Sequence, residues 1–216
     1  MKTQVAPETK QNGKEDFYLF LDFDGVLYDL EYLADNKLSL KDLFAEDRKL
    51  FSFATDSIET LNQLFAELSS RYNPHLVISS FWRFLPTNLL VKSLEISGLD
   101  TTGIDIHKTK LTLHPHKRGL EIKDFLEAHG NSQNFIIADD SYLENYLEHF
   151  PAEKIVKTNI LNDRLVARKL DKALAYYGLE PLAEMDDNGP RFPKRQVDPH
   201  HIKKLVASPS FDEMQF

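Results

Sequence analysis

The sequence predicts an α/β domain built on a mostly parallel sheet with helices on both faces. Two observations carry this prediction. Short apolar segments alternate along the chain with segments in which apolar residues have helical spacing. The segments at 17–23 and 134–138 are almost continuously apolar, as is typical of strands covered by helices on both sides. Such an alternation places successive strands in one sheet and uses the helices as crossovers.

The predicted elements follow one another in a regular order. Strands are expected at 17–23, 75–79, 103–106, 134–138 and 154–157. Helices are expected from Thr55 or Asp56 onward, from Pro86 to near Gly98, and over 116–129, 143–149 and 166–177. Apolar residues three and four positions apart support the helices, and Pro and Gly are the residues preferred at a helix start and end.

Length and composition set the domain organisation. The 216 residues suffice for one compact α/β domain with tails but are short for two domains. We expect a polar N-terminal arm over 1–15, a domain over 16–179 with a small insertion at 27–53, and a polar C-terminal tail over 180–216. Because no apolar run approaches a membrane span and the N-terminus is polar, we expect a cytoplasmic protein without membrane association.

The absence of cysteine and the negative charge narrow the chemistry. A chain with no cysteine has no disulfides, thiolate zinc sites or thiol nucleophiles. A bound metal would need carboxylate, histidine or carbonyl ligands, which favours a hard cation such as Mg²⁺. The formal net charge of -8 provides no general attraction to phosphate backbones, so extended nucleic-acid binding is not expected. A local pocket for one phosphate is compatible with this charge.

Polar side chains collect where the predicted strands end. In an open parallel sheet, ligands bind at the edge formed by the carboxyl ends of the strands. The sequence therefore predicts one polar site assembled from four distant segments, which contribute Asp22 and Asp24, Ser79 and Ser80, Lys117, and Asp139 and Asp140.

Asp22 has the properties of a nucleophile for a phosphoryl group. A carboxylate is ionised at neutral pH and attacks without an activating base. Its attack on phosphorus gives an acyl phosphate that water can cleave. Because both reactants are anions, a cation must lie between them. Asp22 and Asp140, with a backbone carbonyl near Asp24, are the expected Mg²⁺ ligands, and Asp139 is expected to orient water or other groups around the ion.

The remaining polar residues suit the same reaction. Asp24 lies two residues after Asp22 and points to the same side of the strand, where it can protonate a leaving oxygen and then accept a proton from water. Both tasks require a raised pKa. Ser79 and Lys117 are expected to bind the phosphoryl oxygens. Ser80 and Arg118, one position later, remain alternatives because predicted strand and helix ends shift by a residue or two.

Four segments together resemble the motifs of the haloacid dehalogenase (HAD) superfamily. DFDGV at 22–26 resembles the first motif, and Ser79 after LVI, Lys117, and IIADD at 136–140 resemble the others, in family order over roughly 17–178. The resemblance implies a HAD-like Rossmannoid three-layer sandwich, Mg²⁺ as cofactor and an aspartyl-phosphate on Asp22. An acid at the position of Asp24 implies phosphatase or phosphomutase chemistry in this family, with the catalytic domain over 16–179.

The segment VISSFWR at 77–83 and the region 109–122 are similar to HAD domains of the Swiss-army-knife RNA-repair proteins of bacteria and phages. This similarity implies a nucleotide or a nucleic-acid terminal phosphate as substrate, beside a phosphorylated small molecule. Trp82 and Arg83 would orient the substrate, or Trp82 would instead pack beneath a loop. The insertion at 27–53 is short for a cap, so an open site is expected.

Three other readings stay open at this point. A phosphomutase uses the same residues but needs a larger cap. A phosphoacceptor domain and a non-catalytic binding module are the non-enzymatic alternatives on an α/β fold. The sequence leaves the oligomeric state and the role of the tail open.

Overall fold

A computed structural model describes residues 13–37, 53–110, 117–141 and 144–183 of the chain. Most of the predicted N-terminal arm, the middle of the predicted insertion and most of the predicted C-terminal tail lie outside these ranges. In the described residues, no helix is long and apolar enough to cross a bilayer.

Five strands form one parallel sheet in the described part of the chain. They are β1 (Glu15–Leu21), β2 (Tyr72–Ile78), β3 (Asp105–Lys108), β4 (Phe135–Asp139) and β5 (Ile155–Lys157), in the order β3-β2-β1-β4-β5. The predicted α/β class with a parallel sheet is confirmed. β1 is central, and its last residue, Leu21, pairs with Ile78 of β2 and Ala138 of β4. The residues that follow these three positions therefore lie together at one edge of the sheet.

Helices cover both faces of this sheet. They are α1 (Leu30–Asp35), α2 (Thr55–Arg71), α3 (Thr87–Ile96), α4 (Arg118–Ala128), α5 (Glu144–Leu147) and α6 (Ala167–Tyr176), with short 3-10 turns at Phe81–Phe84 and Ala152–Lys154. Side chains alternate along a strand, so β1 supplies both layers of core. Leu19 and Leu21 pack with residues of α2, α3 and α6, whereas Phe20 packs with residues of α4.

All five observed strands differ from the predicted ones by one to three residues at one or both ends, and for β2 and β3 the cause is local. β2 begins at Tyr72 and includes Pro74, and β3 pairs with β2 only from His75 onward. Because Pro74 lies before this pairing starts, its missing amide hydrogen costs no hydrogen bond to β3. β3 begins at Asp105 rather than at Gly103, which has φ +73° and lies in a turn closed by the hydrogen bond from Ile104 N to Thr101 O.

The segment after β1 is joined to the rest of the domain by a partly buried ion-pair network. Asp29 caps α1 by accepting a hydrogen bond from Tyr32 N at 2.8 Å. Arg164 binds the buried Asp29 carboxylate at 3.0 Å and that of Asp56 on α2 at 2.8 Å. α1 lies within the predicted 27–53 insertion, whose residues 38–52 are outside the described ranges.

Candidate active site

Asp22 is held rigidly at the end of the central strand. It is only 2% exposed, and its amide donates a hydrogen bond to Ala138 O at 3.0 Å. The amide of Phe23 donates to Asp22 Oδ1 at 2.7 Å. The backbone of the neighbouring strand and the following amide therefore fix both the position of this residue and one of its two carboxylate oxygens.

Gly25 allows two loops to approach each other. The amides of Val26 and Leu27 both donate to Phe23 O, at 3.2 and 2.9 Å, and close a turn directly after β1. Gly25 lies in this turn with φ +66°, and a Cβ atom there would be 2.6 Å from Asp140 Oδ2. A side chain is excluded both by the backbone conformation and by this contact. The turn after β1 is thereby packed against the loop after β4.

Three carboxylates converge at this edge of the sheet. Asp22, Asp139 and Asp140 each place one oxygen so that all three atoms lie within 4.8 Å of one another. Asp139, the last residue of β4, is 1% exposed. It accepts hydrogen bonds from Ser141 N at 2.7 Å and from the Tyr146 hydroxyl at 2.6 Å. Asp24 lies outside this cluster of three.

Arg118, the first residue of α4, bridges two of these acids. Its Nη1 atom donates to Asp22 Oδ2 and, at 2.6 Å, to Asp139 Oδ2. Lys117 precedes the helix and its side chain is exposed. Of the two basic neighbours that the sequence offered, Arg118 is the one in contact with the carboxylates. The role of either residue toward a phosphate remains a prediction.

The electrostatic environment differs among the three acids. Burial raises the pKa of Asp22 more than the charge of Arg118 lowers it. Burial also acts on Asp139, but the Arg118 charge and the hydrogen bonds from Ser141 and Tyr146 outweigh it and lower the pKa. For Asp140, burial and the nearby charges of Asp22 and Asp139 raise the pKa to about 7. A pKa of about 7 means that Asp140 changes its charge near neutral pH.

Asp24 is partly buried beside this cluster. Its Oδ1 accepts hydrogen bonds from the Tyr28 hydroxyl and, at 3.1 Å, from Trp82 Nε1. Burial and the charge of Asp22 raise the pKa of Asp24 to about 6, although both hydrogen bonds act in the opposite direction. A raised pKa is what we expect of a residue that both donates and accepts a proton.

Both predicted serines are fully buried at the end of β2. Ser79 N donates to Leu21 O at 3.0 Å, which continues the pairing of β2 with β1. Among the described residues, Ser79 Oγ has no hydrogen-bond partner. Ser80 Oγ accepts from Trp82 N at 3.3 Å, and a hydrogen bond from Ser80 lowers the pKa of Asp22. The structure thus brings both serines to the same edge as the acids.

Arg83 fixes the loop that carries these serines. Its Nη1 donates to Ser79 O at 2.8 Å and to Ser80 O at 2.6 Å, and its Nη2 pairs with the carboxylate of Glu121 on α4. Both side chains of the pair are buried. Trp82 is also buried, as the alternative in which this aromatic residue packs beneath a loop requires.

Several contacts were missed by the sequence analysis. Tyr28 and Tyr146 bind two of the acids, and Glu121 binds Arg83. Spacing along the chain signalled none of these contacts. Tyr28 reaches Asp24 through the non-helical turn after β1, and Glu121 on α4 pairs with a residue of the 3-10 turn after β2. The contact of Tyr146 depends on how α5 packs.

The carboxylates of Asp22, Asp139 and Asp140 fit a Mg²⁺ ion. They are hard oxygen donors, and three of their oxygens lie close enough to share one ion. Burial and then the nearby negative charges raise the pKa of Asp140, and a bound dication would offset the repulsion among these charges. The donor set therefore has the chemistry that a magnesium site requires.

Residues 18–162 match the family described as the HAD domain in Swiss Army Knife RNA repair proteins. The chain belongs to this family. The match confirms the resemblance to HAD domains of RNA-repair proteins and, with the parallel sheet, the HAD-like fold. At the level of the family, it supports a phosphohydrolase-type function for the chain.

Two solved structures are similar to the chain at low identity. The HAD domain of effector protein Lem4 from Legionella pneumophila is 13% identical, with 89% of this chain and 94% of that chain covered and a TM-score of 0.31. An inactive mutant of the same domain gives 13% identity, 89% and 93% coverage and a TM-score of 0.31. A similarity at this level carries no argument about the site. Comparison with curated proteins found no match.

The charge of Asp140 predicts how stability depends on pH and Mg²⁺. Because the folded state raises the pKa of Asp140 from 3.8 to about 7, this group costs stability progressively as pH rises through that range. We expect Asp140→Asn to melt about 2–4 °C higher than wild type at pH 8 in EDTA, with the difference vanishing toward pH 4. Adding Mg²⁺ at pH 8 should stabilise wild type but not this variant.

The control is Asp171→Asn, which removes one negative charge at an exposed position of α6. It should leave both the melting temperature and the response to Mg²⁺ unchanged. Thermal melts that show Asp140→Asn less stable than wild type at pH 8 in EDTA would contradict the charge balance described above.

Proposed function

We propose that this chain is a Mg²⁺-dependent phosphomonoester hydrolase that acts through an aspartyl-phosphate on Asp22. The observation that carries the proposal is the juxtaposition of a buried Asp22 with Arg118 on one side and two further acids within ligand distance. A buried carboxylate that is fixed, paired with a guanidinium and placed at the ligand-binding edge of a parallel sheet suits nucleophilic attack on a phosphoryl group.

In the first step, a carboxylate oxygen of Asp22 attacks phosphorus and the bond between phosphorus and the ester oxygen breaks. Asp24 gives its proton to the departing oxygen, which leaves as an alcohol. In the second step, Asp24 removes a proton from water, which attacks the phosphorus of the aspartyl-phosphate. Inorganic phosphate leaves and Asp22 is restored. A pKa of about 6 suits Asp24 for both transfers.

The surrounding residues supply charge and hydrogen bonds to the phosphoryl oxygens. Mg²⁺, held by Asp22, Asp139 and Asp140, would offset the repulsion between the carboxylate and the phosphate. We assign the positive charge at the phosphate to Arg118, because its guanidinium already lies against Asp22. The buried Ser79 hydroxyl, which lacks a partner among the described residues, is the proposed hydrogen-bond donor.

For the substrate we propose a phosphate on a nucleotide or on a nucleic-acid end. The family to which the chain belongs is described by its occurrence in RNA-repair proteins. The net charge of -8 argues against extended contacts with a long strand, so recognition would be limited to the terminal nucleotides.

The proposal predicts hydrolysis of p-nitrophenyl phosphate that requires Mg²⁺ and Asp22. Asp22→Asn should reduce kcat/KM by at least about 10³-fold, because an amide is not a nucleophile toward phosphorus. EDTA should abolish wild-type turnover, and excess Mg²⁺ should restore it. Asp171→Asn, which removes the same charge outside the site, is the control. Magnesium-dependent turnover that survives undiminished in Asp22→Asn would exclude the nucleophile.

A second prediction separates the two neighbouring basic residues. Arg118→Ala should lower kcat/KM by about 10²-fold, since it removes the charge that contacts Asp22, and Lys117→Ala by less than about threefold. Steady-state kinetics of the two variants on the same aryl phosphate gives the answer. A larger loss in Lys117→Ala would restore the assignment made from the motif order and contradict the role given to Arg118.

A further inference from the structure

Two hydrogen bonds end on a single oxygen of Asp24. The Tyr28 hydroxyl and Trp82 Nε1 both donate to Oδ1, the latter at 3.1 Å. Among the described residues, no hydrogen bond reaches Oδ2 of the same carboxyl group. The two oxygens are therefore distinguished by their surroundings.

The backbone explains why these two donors meet at Asp24. The turn closed on Phe23 O returns the chain, so Tyr28 forms an isolated β-bridge with Asp24. Trp82 comes from the 3-10 turn after β2, where Ser80 Oγ accepts a hydrogen bond from its amide. Because β2 is adjacent to β1, one donor arrives from the same loop as Asp24 and the other from the neighbouring strand end.

Packing prevents either donor from moving away. Tyr28 is 1% exposed and Trp82 is 0% exposed. Their rings lie 6.3 Å apart, and the Trp82 ring also lies 6.0 Å from that of Phe23 and 6.3 Å from that of Phe53. A different rotamer of either side chain would open a cavity in the close-packed core.

We propose that Tyr28 and Trp82 are positioning residues that hold Asp24 by Oδ1 and so present Oδ2 for proton transfer to the leaving oxygen and from water. This inference rests on the proposed function and deepens it. It also assigns a role to Trp82 of the VISSFWR segment, whose indole N–H would bind the proton-transferring acid rather than the substrate.

A comparison of substrates with different leaving groups tests whether Tyr28 and Trp82 position Asp24 for proton transfer. An alkoxide needs a proton as it departs, whereas nitrophenolate leaves without one. Misplacing the acid should therefore slow hydrolysis of an alkyl phosphate and spare p-nitrophenyl phosphate. The quantity to compare is kcat/KM, because it covers the steps up to departure of the leaving group and excludes cleavage of the aspartyl-phosphate.

The experiment uses Tyr28→Phe and Trp82→Phe, each with p-nitrophenyl phosphate and a nucleoside 5′-monophosphate. We expect each variant to lose about tenfold in kcat/KM on the nucleotide and less than about twofold on the aryl ester, since general acid catalysis as a whole contributes 10²–10⁴-fold. Asp24→Asn should show the same pattern with a larger loss. Tyr28→Phe removes only a hydroxyl, so it keeps the test open if Trp82→Phe folds poorly.

Tyr177→Phe is the matched control. It also deletes a tyrosine hydroxyl that donates a hydrogen bond, to Phe135 O at 2.7 Å, but at the opposite end of β4 from the site. It should not change the ratio of the two kcat/KM values. Variants of Tyr28 and Trp82 that slow both esters equally would overturn the inference while leaving the proposed function intact. Wild-type protein that hydrolyses neither ester would contradict the proposed function and overturn the inference with it.

A spectroscopic test does not depend on activity. Trp82 is the only tryptophan, so the protein gives one indole N–H signal in a ¹H–¹⁵N spectrum. Asp24→Asn should shift this signal, because a neutral amide oxygen is a weaker acceptor than a carboxylate. Tyr177→Phe should leave it in place. An indole signal that does not respond to Asp24→Asn would overturn the hydrogen bond and the inference built on it.

Discussion

The arrangement of this site depends on the balance of charge between buried acids and Arg118. Carboxylate oxygens of Asp22, Asp139 and Asp140 come within 4.8 Å of one another at the end of the sheet, where burial weakens solvent screening. Arg118 bridges two of them from the start of α4. A cluster of buried acids is stable only with positive charge nearby. It therefore suits a magnesium ion, and a phosphate that binds together with that ion.

Arg118 and the loop that carries Ser79 and Ser80 are connected through a second ion pair. Arg83 holds the carbonyls of Ser79 and Ser80 and pairs with Glu121, which lies one turn after Arg118 on α4. A shift of this helix would therefore move the guanidinium and the serine loop together. The segment FWRF at 81–84 contacts the site through two side chains. Arg83 donates hydrogen bonds to the carbonyls of Ser79 and Ser80, and Trp82 donates one to Asp24.

The fold and the sheet edge at which the polar residues meet were predictable because they follow from local patterns. Apolar runs followed by acids or serines marked Asp22, Ser79 and Asp139, and parallel pairing then required these positions to meet. The choice between Lys117 and Arg118 was not predictable. One residue corresponds to about 100° of rotation around a helix, so it depends on where α4 begins. The contact of Tyr146 with Asp139 depends on the packing of α5, which no periodicity encodes.

The central claim is a covalent phosphate on Asp22, and chemical trapping tests it most directly. Wild-type protein would be mixed with substrate and Mg²⁺, quenched with sodium borohydride and digested for mass spectrometry. An aspartyl-phosphate is reduced to homoserine, so the account predicts homoserine at position 22 only when substrate and Mg²⁺ are both present. Turnover with an unmodified Asp22, or with the modification at another acid, would contradict it.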